Sequence, residues 1–339
     1  MYLKGGNYLS NTTLKNLLIE YDKKRINAEI TAENKKNYIY EKYPKLWEID
    51  SQLSSLAFST MKEIAKSGNK NLINQLNINI SNLKLEKENL LKTLGMSLDD
   101  FNPKYECNKC KDTGYILENG QSKMCNCLKQ KIYDIEYNKS NLNSLSTQNF
   151  NNFNINYYSN VVNEEKYNSK ISPQDNINLI IKICKNFITN FNNPNTKNLL
   201  FTGKTGLGKT FLSSCIANEL LKNGNTVLYQ TSSVLLDTII SYKFNRQNVS
   251  KDIYDYLLNV DLLIIDDLGT EGINQLKLVE LFNLLNSRLL NNNHCKTIIS
   301  TNLSLQSLFK SYDERIVSRI VGNYDVCYFF GDDIRFLNK

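Results

Sequence analysis

Residues 203–210 read Gly-Lys-Thr-Gly-Leu-Gly-Lys-Thr, a complete Gly-x-x-x-x-Gly-Lys-Thr loop. Gly203, Gly206 and Gly208 let successive backbone N–H groups turn inward around a triphosphate. Lys209 then reaches the β- and γ-phosphates, and the Thr210 hydroxyl can ligate Mg²⁺. An apolar run, Leu199-Leu200-Phe201, precedes the loop and reads as a strand. A helical pattern from Thr210 to Lys222 follows it, and the helix N-terminus adds a partial positive charge. A strand before and a helix after weigh against an accidental glycine-rich turn. The loop predicts a nucleoside triphosphate site.

Leu262-Leu-Ile-Ile-Asp266-Asp267 reads as the second half of a hydrolytic site. A fully buried strand delivers its last residues to the C-terminal edge of a sheet, beside the phosphate loop. Asp266 is expected to hold the Mg²⁺ shell, and Asp267 to orient or deprotonate the attacking water. Thr297-Ile-Ile-Ser-Thr-Asn302 is another buried strand ending in a polar residue. The Asn302 amide either bonds the γ-phosphate or the water, or caps the next helix. In Asp313-Glu-Arg315-Ile-Val-Ser-Arg319, two arginines four apart share one helical face. Such a pair is ordinarily solvated. The alternative is an arginine finger, with Arg315 stabilising transition-state charge in a neighbouring subunit.

A second chemistry lies upstream. Cys107-x₂-Cys110 and Cys125-x-Cys127 are two close pairs, with Gly114 and Gly120 between them. Four thiolates on a short hairpin have the spacing of a structural Cys₄ zinc site, the alternative being free buried cysteines. An iron–sulfur cluster accepts the same ligands, but no neighbouring residue points to redox chemistry. The only histidine, His294, is far along the chain. The segment is too small to bury a core, so Zn²⁺ supplies its folding energy. Cys184, Cys215, Cys295 and Cys327 sit in apolar patterns and read as packing residues.

The order of phosphate loop, apolar-Asp-Asp, strand-Asn and Glu-Arg-x-x-Ser-Arg resembles the AAA+ ATPases. Leu-Ile-Ile-Asp-Asp-Leu-Gly-Thr-Glu at 263–271 and Ser-Thr-Asn-Leu at 300–303 are similar to the DnaC/DnaI-type bacterial helicase loaders. The resemblance covers 150–339 well and the upstream residues more loosely. It implies an ATPase that uses ATP and Mg²⁺, with Lys209, Thr210, Asp266, Asp267 and Asn302 in nucleotide chemistry and Arg315 as the finger. It further implies a replicative DNA helicase and single-stranded DNA as partners, and a homo-oligomer assembled on either. Most AAA+ proteins carry Glu where this chain has Asp267. A shorter base sits farther from the water, so slow hydrolysis is expected. The sequence ends at Lys339, soon after the fifth expected strand, so the small helical lid of many AAA+ proteins is not expected. Arg335 itself reads as a phosphate or subunit contact. An IstB-like transposition helper, assembling on duplex DNA, is the alternative, and the cysteine module argues against it.

The elements that must position these residues follow from periodicity. Residues 1–104 read as a helical region, with Leu46, Ile49, Leu53 and Leu56 and then Leu72, Leu76, Ile80, Leu83, Leu90 and Leu94 at helical steps. The zinc module occupies 105–130 and an Asn/Ser/Tyr-rich linker 131–149. Residues 150–339 form the ATPase domain. Phe150, Phe153, Tyr157 and Tyr158 at its start are placed to cover the nucleotide base. From 176 onward strands and helices alternate, which requires a parallel sheet covered on both faces, here five-stranded. Tyr242, Lys243, Phe244 and Arg246, in the insert after the second strand of this domain, are candidates for single-stranded DNA contact as readily as for ordinary surface. The chain carries 41 Lys+Arg against 34 Asp+Glu, a mild excess that permits nucleic-acid contact without requiring it. No apolar run approaches a membrane span and no signal-peptide pattern opens the chain, so a cytoplasmic protein with reduced cysteines and no membrane partner is expected.

Overall fold

In the computed structural model, residues 11–67, 71–136, 147–244, 253–291 and 295–336 are described. Arg246, His294 and the middle of the expected linker lie outside them. Contacts divide the chain into two units, Leu18–Lys123 and the remainder.

The N-terminal helices are α1 (Asn11–Lys42), α2 (Pro44–Ser67) and α3 (Asn71–Thr93). Pro44 opens α2, where its missing N–H costs nothing. Ile39, Leu46 and Leu91 make a small core with Tyr40, Tyr43 and Phe101 around it. Beside it the Lys87 ammonium donates to both Asp50 oxygens at 2.7 Å, and the Tyr40 hydroxyl donates to Asp50 at 2.5 Å.

Strands β1 (Tyr115–Glu118) and β2 (Gln121–Met124) form a hairpin. Its two turn residues, Asn119 and Gly120, both have left-handed φ (51° and 76°), as a tight turn matched to strand twist requires.

After α4 (Asn126–Glu136) and the short α5 (Glu164–Tyr167) comes the alternating region. Its elements are α6 (Pro173–Thr189), β3 (Asn198–Gly203), α7 (Lys209–Lys222), β4 (Val227–Thr231), α8 (Ser232–Lys243), α9 (Ile253–Asn259), β5 (Leu262–Leu268), α10 (Gln275–Leu290), β6 (Lys296–Thr301), α11 (Leu305–Ser311), α12 (Glu314–Asn323) and β7 (Tyr324–Phe329). The five strands pair in parallel in the order β4-β5-β6-β3-β7. Alternate residues feed two cores. Leu199, Phe201, Ile264 and Ile298 pack with α6 and α7, while Leu200, Leu263, Ile265 and Ile299 pack with α8, α10 and α12. Burial on both faces explains why these strands read as continuous apolar runs.

The expected linker needs correction at its start. Residue 131 falls inside α4, whose Ile132 and Tyr133 are buried, Tyr133 within the sheet core. The Gln130 amide donates to the Val227 carbonyl at 2.9 Å and accepts from the Val227 N–H at 2.7 Å, pairing edge strand β4 as a further strand would. No helix among the described residues is long and apolar enough to cross a membrane.

Candidate nucleotide site

The phosphate loop leaves the end of β3 and runs into α7, and its glycines are required by geometry. Gly206 (φ 74°) and Gly208 (φ 87°) are left-handed; a Cβ at Gly206 would strike the Asp333 carboxylate, and one at Gly208 would lie 2.6 Å from the Tyr158 hydroxyl. That hydroxyl donates to the Leu207 carbonyl at 3.0 Å, and Phe153 stacks on the Tyr158 ring and meets Phe211 edge-on. The aromatic segment therefore packs against the loop.

Lys209 is buried. Its ammonium donates to the carbonyls of Gly203 (2.6 Å) and Lys204 (2.8 Å) and to Asn302 Oδ1 (2.8 Å). Burial pulls its pKa down to about 8, opposed by the charges of Asp267 and Asp266. Asn302, at the end of β6, so faces the same point as Lys209.

Asp266 ends the apolar run of β5 and is buried. Its Oδ2 accepts from the Thr210 hydroxyl at 3.1 Å and from the Tyr229 hydroxyl at 2.6 Å, while Ser300 donates to Oδ1. Strand β5 continues to Leu268 rather than ending at Asp266. The pairing with β6 shifts register between Ile265 and Leu268, and Asp267 takes a left-handed φ of 55°. That conformation costs a non-glycine residue about 1–2 kcal/mol. The bulge turns Asp267 into the cleft that the loop lines. Burial raises the Asp267 carboxyl pKa, and the Asp266 charge raises it further, against Lys209 and the Asn302 amide.

Lys209, Thr210, Asp267, Asn302 and the loop line a cleft of about 370 Å³, closed on another side by Gln148, Ile334 and Arg335. The Arg335 guanidinium is paired with Asp333, at 2.9 Å to Oδ1 and 2.5 Å to Oδ2, and the Ile334 N–H donates to the Gly206 carbonyl at 3.0 Å. The donor set fits a Mg²⁺–nucleotide: the Lys209 cation for phosphates, and the Thr210 hydroxyl and Asp266 carboxylate side by side for the ion.

Arg315 is not in this cleft. It lies on the exposed face of α12, held by Asp313 at 2.9 Å through both Nε and Nη2 and stacked over the Phe282 ring at 5.1 Å. Arg319 is exposed on the same helix, whose buried face is Ile316, Val317 and Ile320. Among the DNA candidates, Tyr242 packs on the core, Lys243 bonds Glu280 at 2.6 Å and Phe244 is exposed.

The cysteines converge as their spacing requires. The sulfurs of Cys107, Cys110, Cys125 and Cys127 lie within 4.8 Å of one another. A tetrahedron with Zn–S near 2.3 Å has edges of about 3.8 Å, so the cluster fits a metal ion. Buried Asp112 accepts the N–H groups of Glu106 (2.9 Å) and Cys107 (2.8 Å), fixing the first turn. The second pair sits at the start of α4, where the helix dipole favours negative charge. Cys184, Cys215, Cys295 and Cys327 are buried, as packing residues are.

Sequence reasoning missed Tyr229 and Ser300. Both lie inside apolar strands, and only the pairing of β4, β5 and β6 brings their hydroxyls to Asp266.

A parallel sheet of this order, with the loop and the paired carboxylates at its C-terminal edge, is a five-stranded P-loop fold of the AAA+ type. Comparison with known proteins narrows the class. Residues 176–323 match the family model of the IstB-like ATP binding protein, a span of less than half the chain. The replicative helicase loader DnaC of Buchnera aphidicola subsp. Baizongia pistaciae is 32% identical over 146 residues, covering 42% of this chain and 58% of the relative. DnaC of Escherichia coli K12 is 27% identical over 157 residues, covering 46% and 62%. The alignments thus span under two thirds of these relatives' own length. A crystal structure of the DnaC helicase loader superimposes with a TM-score of 0.41 at 25% identity, over 50% of this chain and 96% of that one. By its sequence alignments the P-loop core is similar to those of the DnaC-type replicative helicase loaders.

Proposed function

We propose that this chain is an ATP-dependent loader of a replicative DNA helicase. The observation that carries the reading is the convergence of Lys209, Thr210, Asp267 and Asn302 on one cleft, with Asp266 bonded to Thr210 beside it, in a core similar in sequence to that of DnaC. In this reading Lys209 leaves its carbonyl partners for the β- and γ-phosphates. Thr210 and Asp266 hold Mg²⁺, which screens phosphate charge. Asp267 accepts the proton of the attacking water and Asn302 orients it, with hydrolysis slow because the Asp267 side chain is short. The N-terminal helices and the zinc module grip the helicase, and single-stranded DNA meets the ATPase domain, so that nucleotide state switches the grip. The protein acts in the cytoplasm as a homo-oligomer. A pull-down of the full chain with the host's replicative helicase, with and without ATP, tests the reading; no capture in either state overturns it.

The match to the IstB-like model supports a second reading, a transposition helper assembling on duplex DNA. ATPase rates separate the two. Stimulation by single strands favours the loader, and stimulation by duplex favours the helper.

A further inference from the structure

Glu271 lies four residues beyond Asp267 and is buried. A buried carboxylate ordinarily has a cation beside it. Here, among the described residues, the hydrogen-bond partners are neutral. Oε2 accepts the Gly269 N–H at 2.9 Å and the Ser232 hydroxyl at 2.5 Å, and the Tyr312 hydroxyl donates to Oε1.

The three donors belong to three different elements. Gly269 stands in the turn that leaves β5, with φ 105°. Ser232 is the first residue of α8, and its hydroxyl proton is shared between Glu271 and the Asp267 carbonyl at 3.0 Å. Tyr312 follows α11 as its C-cap and precedes Asp313, whose side chain caps α12 by accepting the Arg315 N–H at 2.9 Å. One carboxylate thus joins the turn carrying Asp267, the start of α8 and the corner that sets α12. A left-handed aspartate persists only where its surroundings over-determine it. Glu271, through Ser232 and Gly269, supplies part of that constraint.

We infer that Glu271 is a positioning residue that holds Asp267 against the cleft and couples it, through Tyr312, to the helix bearing Arg315. The inference rests on the reading that Asp267 acts on the attacking water. It makes the geometry of hydrolysis dependent on a corner distant in sequence, and places a neutral hydroxyl in control of it.

The test uses the full chain and two measurements, steady-state ATP turnover and the affinity for a non-hydrolysable ATP analogue. Tyr312→Phe removes one hydroxyl and Glu271→Gln keeps the side chain's size. Each is expected to lower kcat by roughly tenfold or more, as misplacement of a reacting group does. Analogue affinity should stay within about twofold, and adding Tyr312→Phe to Glu271→Gln should lower kcat by less than about twofold more, because both break one tether. Effects that multiply, or analogue affinity and kcat lost together, overturn the inference. Should Glu271→Gln fail to fold, Ser232→Ala and Tyr312→Phe read the same tether from its two ends. Asp267→Asn is the control. Turnover surviving it overturns the assignment of Asp267, and the inference with it; turnover abolished there but unchanged in Tyr312→Phe overturns the inference alone.

Discussion

Asp266 and Asp267 are adjacent carboxylates with different surroundings, and the difference separates their proposed roles. Asp266 is buried and bonded by Thr210, Tyr229 and Ser300. Asp267 is half-buried, with its carboxyl pKa raised by burial and by its neighbour. Lys209→Ala removes the cation from the cleft and should abolish nucleotide binding, read by titration of a fluorescent ATP analogue. Asp267→Ala should leave that titration nearly unchanged and stop turnover; equal loss of binding in both variants would show the carboxylate to be misassigned. Tyr229→Phe removes one donor from the oxygen shared with Thr210. A hydrogen bond to a charged group contributes about 1.5–3 kcal/mol, so the Mg²⁺ needed for half-maximal turnover should rise roughly tenfold or more, with binding of metal-free nucleotide unchanged. An unchanged Mg²⁺ requirement would mean that Tyr229 only packs.

At the scale of elements, the cysteine hairpin and the base of the sheet each rest on a few polar groups. The hairpin strands are four residues each and bury little, so metal is proposed to hold them. Metal analysis of the purified chain should find one zinc per subunit. The double variant Cys110→Ser, Cys125→Ser should lose zinc and helicase capture while keeping nucleotide binding; normal capture by that variant would exclude the module as the grip. At the base of the sheet, buried Arg288 donates to the carbonyls of Leu257 (2.5 Å), Val260 (3.1 Å) and Lys296 (2.7 Å) and to the Thr297 hydroxyl (3.0 Å). It ties the end of α10 to α9, to the turn before β5 and to β6. Arg288→Ala leaves those acceptors without a donor and should cost about 3 kcal/mol of unfolding free energy by urea titration. Its nucleotide affinity in native buffer should be unaffected, since Arg288 lies at the opposite sheet edge from the cleft.

For the whole molecule, the exposed face of α12 carries the proposed trans contact. Arg315 is held outside its own chain's cleft by Asp313, so its contribution should be to catalysis in an assembly and not to the affinity of one chain. Loss of such a finger costs on the order of a thousandfold in rate in other nucleotide hydrolases. Arg315→Ala and Lys209→Ala should each be inactive alone. Mixed, they should recover ATPase activity, because the intact cleft of one borrows the arginine of the other. No recovery in a mixture shown to co-assemble by light scattering excludes the trans role. Complementation by Arg319→Ala but not by Arg315→Ala moves the finger one turn along the helix.

The sequence determined the phosphate loop, the five strands and the cysteine cluster. Each is local: a glycine spacing, a run of apolar residues buried on both faces, two thiol pairs on one hairpin. It misplaced the start of the linker, because the burial of Ile132 and Tyr133 depends on a sheet whose strands come much later in the chain. It was silent on Tyr229, Ser300 and Glu271. The hydroxyls that orient Asp266 sit on β4 and β6, adjacent to β5 only through parallel pairing. The groups around Glu271 come from three places in the chain, Ser232 lying 39 residues before it and Tyr312 41 residues after it. Periodicity reports which face a residue buries. Which polar groups then meet across that face is set by strand order and register, and those exist only in the folded chain.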